Sequence, residues 1–201
     1  SFHLQYLASS FNALPSIEDI HKDIDVMAES ALKSHEIKNL DDDYYGPVLL
    51  EGQAVAEFFI ANLLNSGEDG IIAGRKPMTN ANKKAIEEYF EDLQKEIEKD
   101  GNVKIAPGFL NVKAFPFLKS FQDQALIGSF AIDGEGVAPS EELTIVEKGV
   151  LKTKLNGRTP AINVERSNGY KRRQVSGSGA SLAIAPGVLM VSSDKVMPYD
   201  S

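Results

Sequence analysis

Glu51 and Glu57 flank a glycine-led amphipathic stretch. Carboxylates in such a place can trade protons as a general acid–base pair or bind a hard cation. Their spacing turns them about 240° apart on a helix, so they share no helical face. Glu51 falls before the helix, at its amino end, where orphan N–H groups stabilise a carboxylate, and this capping role is the simpler reading. Together with Asp43 the two could form an all-carboxylate site, which favours magnesium or calcium over zinc. Zinc chemistry needs converging histidines, commonly one turn apart on a helix. The chain has 3 histidines, His3, His21 and His35. The last two are about 21 Å apart along a helix and cannot share an ion within it. His21 borders an apolar stripe and reads as an ordinary boundary residue.

Nucleophilic chemistry has less support. There are 0 cysteines, which removes disulfides, thiolate metal sites and thiol nucleophiles and fits either redox compartment. Ser176, Ser178 and Ser181 lie in a glycine-rich stretch, but Gly177-Ser178-Gly179 is shorter than a nucleophile elbow and no histidine follows it. A loop is the expected structure there. Lys171-Arg172-Arg173 beside Ser167-Asn168-Gly169 has the composition to hold an anion such as a peptide C-terminus or a phosphate. A solvated basic turn is the plainer reading.

The elements that must position these residues change character along the chain. Ser16 and Asp19 form a capping box. Ile17, Ile20, Ile24, Met27, Ala28, Ala31 and Leu32 follow with helical spacing, which predicts an amphipathic helix to about Lys38-Asn39, lying on something larger. Asp41-Asp42-Asp43 reads as an acidic turn. Pro47 to Leu50 reads as a short buried strand. Gly52 then allows a tight entry into a helix from Gln53 to Asn65, with Val55, Phe58, Phe59, Asn62 and Leu63 on its buried face. Residues 66–70 are turn formers. A peripheral helix with a narrow apolar stripe is predicted from Thr79 or Asn80 to Lys99.

From Val103 the texture is β. Val103–Ile105, Leu110–Val112 and Ala125–Ile132 are candidate strands, the last followed by a turn over Asp133–Gly136. Leu143–Val146 and Val150–Leu155 flank Glu147-Lys148-Gly149, a hairpin signal with glycine at a left-handed position. Residues 166–179 read as a polar loop, and Leu182 to Val191 as a late strand pair. The class is α+β, a β-rich domain with an antiparallel sheet or barrel-like core and two or three amphipathic helices in the N-terminal half.

Composition bounds the function. With 201 residues, 42% of them hydrophobic, the chain has material for a real core. A net charge of -8 argues against general nucleic-acid binding, which needs basic patches to displace counterions. No apolar run reaches the ~18 residues of a membrane-spanning helix. The chain starts Ser1-Phe2-His3 without methionine and reads as a fragment or processed form, so the compartment, cytoplasmic or extracytoplasmic, stays open.

Four blocks, in order, carry a resemblance. Tyr45-Gly46-Pro47-Val48-Leu49-Leu50-Glu51-Gly52-Gln53-Ala54 is similar to a YxGPVLFEGQAA-type block. Residues 128–137, GSFAIDGEGV, resemble a GxYxxDDEGV block. Residues 147–152, EKGVLK, resemble ENGxLK. Arg158-Thr159-Pro160 with Ser167-Asn168-Gly169-Tyr170 resembles an SRTP…SNGH pairing. Together they resemble the TldD/PmbA family, once called modulators of DNA gyrase and grouped with metallopeptidases. The resemblance implies that residues 1–40 are a linking segment with its helix and that residues 41–201 are the β-rich C-terminal domain, cut short at its end.

TldD-type members carry HExxxH at the strand-to-helix junction. The matching stretch here, Leu50 to Glu57, has no histidine. The resemblance is therefore to the metal-free TldE/PmbA-like side, with no zinc ligand carried over and no cofactor expected, although catalytic relatives hold zinc. It implies a homo- or hetero-dimer with a TldD-type subunit and a role in holding unfolded peptide for proteolysis. Arg158, Asn168, Gly169 and Arg172 are the residues expected to line a peptide groove, with strands near Leu126–Ile132 and Leu151–Leu155 as candidate edges for β-addition. The alternatives are a metallopeptidase with an atypical carboxylate site at Glu51 and Glu57, or a structural interaction module.

Overall fold

A computed structural model of the chain describes residues 3–6, 8, 10–37, 43–64, 71–73, 103–122, 124–159, 164, 166–176 and 179–197. The elements are α1 (Ile17–Ser34), α2 (Gln53–Phe59), β1 (Leu110–Ala114), β2 (Ser120–Phe121), β3 (Gln124–Ala125), β4 (Leu143–Glu147), β5 (Val150–Leu151), β6 (Lys171–Ser176), β7 (Gly179–Ile184) and β8 (Leu189–Ser193). Among the described residues this is an α+β, β-rich fold with two helices in the N-terminal half. The expected helix over 79–99 and the turn at 66–70 lie outside the described residues.

The chain divides into two compact units, Ser1–Glu51 with Ser120–Ile127, and Gly52–Lys119 with Gly128–Ser201. In the first, α1 starts as its capping box dictates. The Asp19 N–H donates to Ser16 Oγ at 3.1 Å, and the Ser16 hydroxyl donates to Asp19 Oδ2 at 2.7 Å. With Lys22 beside it, these bonds hold the Asp19 carboxyl below its ordinary range. The helix stops at Ser34, a turn earlier than expected. The His35 N–H closes it onto the Leu32 and Lys33 carbonyls. No α1 residue is fully buried. Ile20, Met27 and Ala31 form a half-buried stripe. Pro47–Leu50 is a correction: it has no regular secondary structure and is exposed, with Leu49 at 79%, and no described strand pairs with it. An apolar run becomes a strand only where a neighbour takes its backbone groups.

In the second unit β5-β4-β1-β8 form one antiparallel sheet, and β6 and β7 form a separate ribbon. A register shift between Val112 and Lys113 puts an extra β4 residue opposite β1. Successive Ile145 and Val146 are thereby both fully buried, which a regular strand with alternating side chains does not allow. They pack with Val112, Ala114, Leu151, Leu155, Tyr170, Ile184 and Ile72 in one core. Each large apolar side chain buried there contributes about 1.5–3 kcal/mol. Ile72 sits beside Leu155, whose N–H donates to the Ile72 carbonyl at 2.7 Å.

The β4–β5 turn has Lys148 and Gly149 both left-handed, φ 49° and 78°, as a two-residue hairpin of the expected kind needs. Two other expectations change. Residues 171–176 are a strand, not a loop, because β7 supplies a full partner from Lys171↔Ile184 to Ser176↔Gly179. Pairing overrides the poor strand propensity of a basic run. β7 and β8 both form, but not as a pair: β7 joins β6, and β8 joins β1.

Candidate functional site

Gly52 opens α2 at φ 56° and ψ -129°, a conformation essentially reserved for glycine, with nothing within 4 Å of a built Cβ. The residue is therefore required by the bend and not by crowding. α2 runs seven residues and continues as a π-helical turn over Ile60–Leu64. Leu63 is buried and Phe59 half-buried, but Phe58 and Asn62 of the expected buried face are exposed. The Asn62 amide donates back to the Phe58 carbonyl at 2.7 Å. Glu57 is exposed and accepts from Gln53 Nε2 at 2.6 Å within its own helix. Glu51 lies before the N-cap, as expected, and is exposed, as is Asp43. Among the described residues no group of three or more His, Asp or Glu side chains is gathered to hold a metal ion. His21 and His35 lie exposed on and just after α1.

A denser constellation sits where the 128–139 segment meets the 154–173 segment. Asp133 is buried, and its carboxylate accepts three backbone N–H bonds. Oδ1 takes Glu135 at 2.9 Å and Val137 at 2.8 Å, and Oδ2 takes Lys171 at 3.1 Å. The Gly134 N–H returns a bond to the Lys171 carbonyl at 2.7 Å. One side chain thus shapes its own turn and ties it to β6. Glu135 Oε2 in turn accepts the Arg158 N–H at 2.6 Å. Asn156, 2% exposed, donates from its N–H to Asn168 Oδ1 at 2.7 Å and from its amide to the Val164 carbonyl at 3.0 Å. The Asn168 amide reaches the Lys154 carbonyl at 2.7 Å.

Arg172 occupies the far side of this constellation. Its guanidinium carbon lies 4.1 Å from the Phe130 ring centroid, and Nη1 donates to the Gly128 carbonyl at 2.7 Å. Burial lowers the pKa of this group from its ordinary value. Phe130 meets the Tyr170 ring edge-on at 6.0 Å.

The four residues expected to line a peptide groove are each held by different partners. Arg158 is exposed and anchored by its backbone, Asn168 is bonded inward to 154–156, Gly169 is buried against Pro139, and Arg172 is stacked on Phe130. Asn156 carries no comparable mark in the sequence, while Phe130 and Asp133 fall in the 128–137 block. A further signal is Asp133-Gly134-Glu135-Gly136, since an aspartate before glycines commonly bonds its own turn. Of the serines, Ser181 is exposed on β7 opposite Gln174, Ser176 ends β6 opposite Gly179, and Ser178 lies outside the described residues. A separate cleft of about 380 Å³ is lined by Phe115, Phe117, Leu118, Glu141 and Glu142. Lys113 pairs with Glu142 at 2.6 Å and holds that carboxyl below its ordinary range.

The family model for the PmbA/TldA metallopeptidase C-terminal domain matches residues 43–198. The chain belongs to this TldD/PmbA family. The match runs from the exposed segment ahead of Gly52, through the Asp133 clamp, to five residues past the end of β8. No curated protein matches the chain. Among solved structures, that of TldE from Thermococcus kodakarensis is similar with a TM-score of 0.43 and 17% identity, covering 70% of this chain. The chain spans 26% of the length of that relative. No described helix of this TldD/PmbA domain is long and apolar enough to cross a membrane.

Tyr170 gives this domain a testable pH signature. Its side chain is fully buried, and its hydroxyl has no partner among the described residues. Burial pushes that hydroxyl up to about 12. An unfolded tyrosine titrates near 10, so between about pH 10 and 12 the unfolded chain sheds this proton first and stability falls as pH rises. The loss amounts to on the order of 2–3 kcal/mol and is absent below pH ~10. Tyr170→Phe is expected to raise stability at neutral pH by about 1 kcal/mol, since it removes an unsatisfied buried polar group. It is also expected to flatten the alkaline decline. Urea unfolding midpoints at pH 7, 10 and 11.5 measure both. A variant less stable than wild type at pH 7 would contradict the reading.

Proposed function

We propose that this TldD/PmbA domain belongs to a non-catalytic, partner-dependent subunit that binds extended, unfolded peptide for proteolysis by a TldD-type partner. The observation that carries this is the junction itself. The positions from Leu50 to Glu57, where the resemblance places a metal motif, hold no histidine. The Glu57 carboxylate is engaged by its own helix, which supports the same reading. Residues 1–40 are read as the linking segment and 41–201 as the domain. Arg158, Asn168, Gly169 and Arg172 are the proposed peptide-facing set, as the resemblance implies, and all four lie in the same compact unit. Extended peptide is bound chiefly through its backbone, and a polar loop cluster next to a sheet supplies suitable donors.

The test is metal analysis and peptide cleavage with the full-length protein, alone and with a TldD-type subunit, for wild type and Glu51→Gln. The expected result is no stoichiometric metal, no cleavage by the protein alone, and Glu51→Gln equal to wild type in the mixed assay. Stoichiometric metal together with cleavage lost in Glu51→Gln would instead establish a carboxylate metal site and overturn the proposal.

A further inference from the structure

We infer that extended peptide adds to the outer edge of β8, through the backbone groups of Leu189, Val191 and Ser193. This rests on the peptide-binding reading above and names the edge that serves it.

The two edges expected from sequence are not available. Ala125–Ile132 is not a strand beyond Ala125; its later part is tied down singly, as by the Phe130 N–H to the Pro116 carbonyl at 2.7 Å. On β5, the Leu151 N–H points away from β4 and is taken by the Val103 carbonyl at 2.8 Å. Lys104 bridges Val150 alongside it, and Leu155 is held by Ile72. That side of the sheet is closed by the chain itself.

The other side is set by hydrogen-bond parity. In an antiparallel pair, every second residue exchanges both backbone bonds with its partner and the ones between point away. The Phe115 N–H donates to the Val188 carbonyl at 2.9 Å, and the Asp194 N–H donates to the Phe109 carbonyl at 2.8 Å. Between these two clamps the register runs Lys113↔Met190 and Asn111↔Ser192. Residues 188, 190, 192 and 194 therefore face β1. Leu189, Val191 and Ser193 face outward, and among the described residues no backbone partner meets them.

The edge also says what fits it. Leu189 and Val191 are half-buried and pack against the core, so an added strand would continue that face with apolar side chains at alternate positions. The strand is held at both ends, so it needs no reordering to receive a partner. It is short, and Ser193 bonds back to Lys195 just beyond it, features that guard an edge against indiscriminate pairing. The occupant is thus a short, unfolded peptide segment with alternating apolar residues.

The experiment is amide hydrogen exchange at single-residue resolution on the full-length protein, with and without an alternating Val-Thr hexapeptide. In the free protein Met190 and Ser192 should exchange slowly and Leu189, Val191 and Ser193 quickly. Peptide should slow the latter three by at least tenfold. Val191→Pro removes an outward N–H and none that faces β1, so despite some lost packing it should keep the slow amides of Met190 and Ser192 while weakening peptide binding at least tenfold. Slow exchange at Leu189, Val191 and Ser193 in the free protein overturns the inference, because the edge is then already covered. Peptide binding with protection elsewhere overturns the edge assignment but leaves the peptide-binding reading standing. No peptide binding at all overturns both.

Discussion

Asp133→Ala is expected to cost about 4 kcal/mol, a large share of the ~5–15 kcal/mol by which a domain is ordinarily stable. The substitution removes an acceptor, not a contact patch. Three N–H groups, of Glu135, Val137 and Lys171, lose their partner together, and the first two lie in a turn that the carboxylate itself shapes. A buried donor left unpaired costs about 1–3 kcal/mol; the Lys171 bond is buried, and those of Glu135 and Val137 are partly buried and cost less each. Asp133→Asn keeps one carbonyl oxygen but turns an NH₂ toward a backbone donor, so it should recover only part of the loss. Because the clamp ties the 133–137 turn to the first residue of β6, the effect should reach beyond the turn. Amides of β6 should lose protection along with those of the turn. Urea unfolding and amide exchange measure this. A variant within about 1 kcal/mol of wild type would show that the carboxylate is not holding the turn.

Gly187→Ala is expected to destabilise by about 1–3 kcal/mol and to release Arg172. Gly187 sits at φ 75°, where an L side chain is strained, and its neighbours leave no room. A Cβ there would lie 2.7 Å from the Gly128 carbonyl oxygen and 2.7 Å from Phe130 Cε1, with Arg172 Nη1 at 2.9 Å. The ring and guanidinium can shift, but the carbonyl is backbone and is the same oxygen that Arg172 holds. The added methyl therefore attacks the Arg172–Gly128 bond and the stack on Phe130 at once. Arg172→Lys tests the same cluster from the other side, since an ammonium lacks the flat face and fork that satisfy ring and carbonyl together. The two changes should be less than additive in a double-mutant cycle because they act on one cluster. Full additivity would mean that Gly187 is needed only for its turn.

Much of the local architecture is legible in the residues themselves. The Ser16–Asp19 box places the start of α1, the Lys148-Gly149 pair places the β4–β5 turn, and Gly52 marks the entry to α2. Each of these is a contest between a residue and its immediate neighbours, and short-range sterics and capping bonds settle it. The candidate site is legible only in part. Phe130 and Asp133 fall in the 128–137 block, but nothing in the sequence says that they and Asn156 brace the 154–173 segment. Their roles depend on backbone groups brought from far along the chain, such as Lys171 for Asp133.

The order of residues is thus enough for the α+β class, the family blocks, and the lack of histidine between Leu50 and Glu57. These are matters of composition, local period and residue identity. It takes the folded chain to establish that the basic run 171–176 is a strand and that, among the described residues, Pro47–Leu50 is unpaired and β8 rather than β5 has outward-facing backbone groups. Whether a strand exists and which edge is free depends on which distant segment takes each N–H and C=O, and no local pattern encodes that choice.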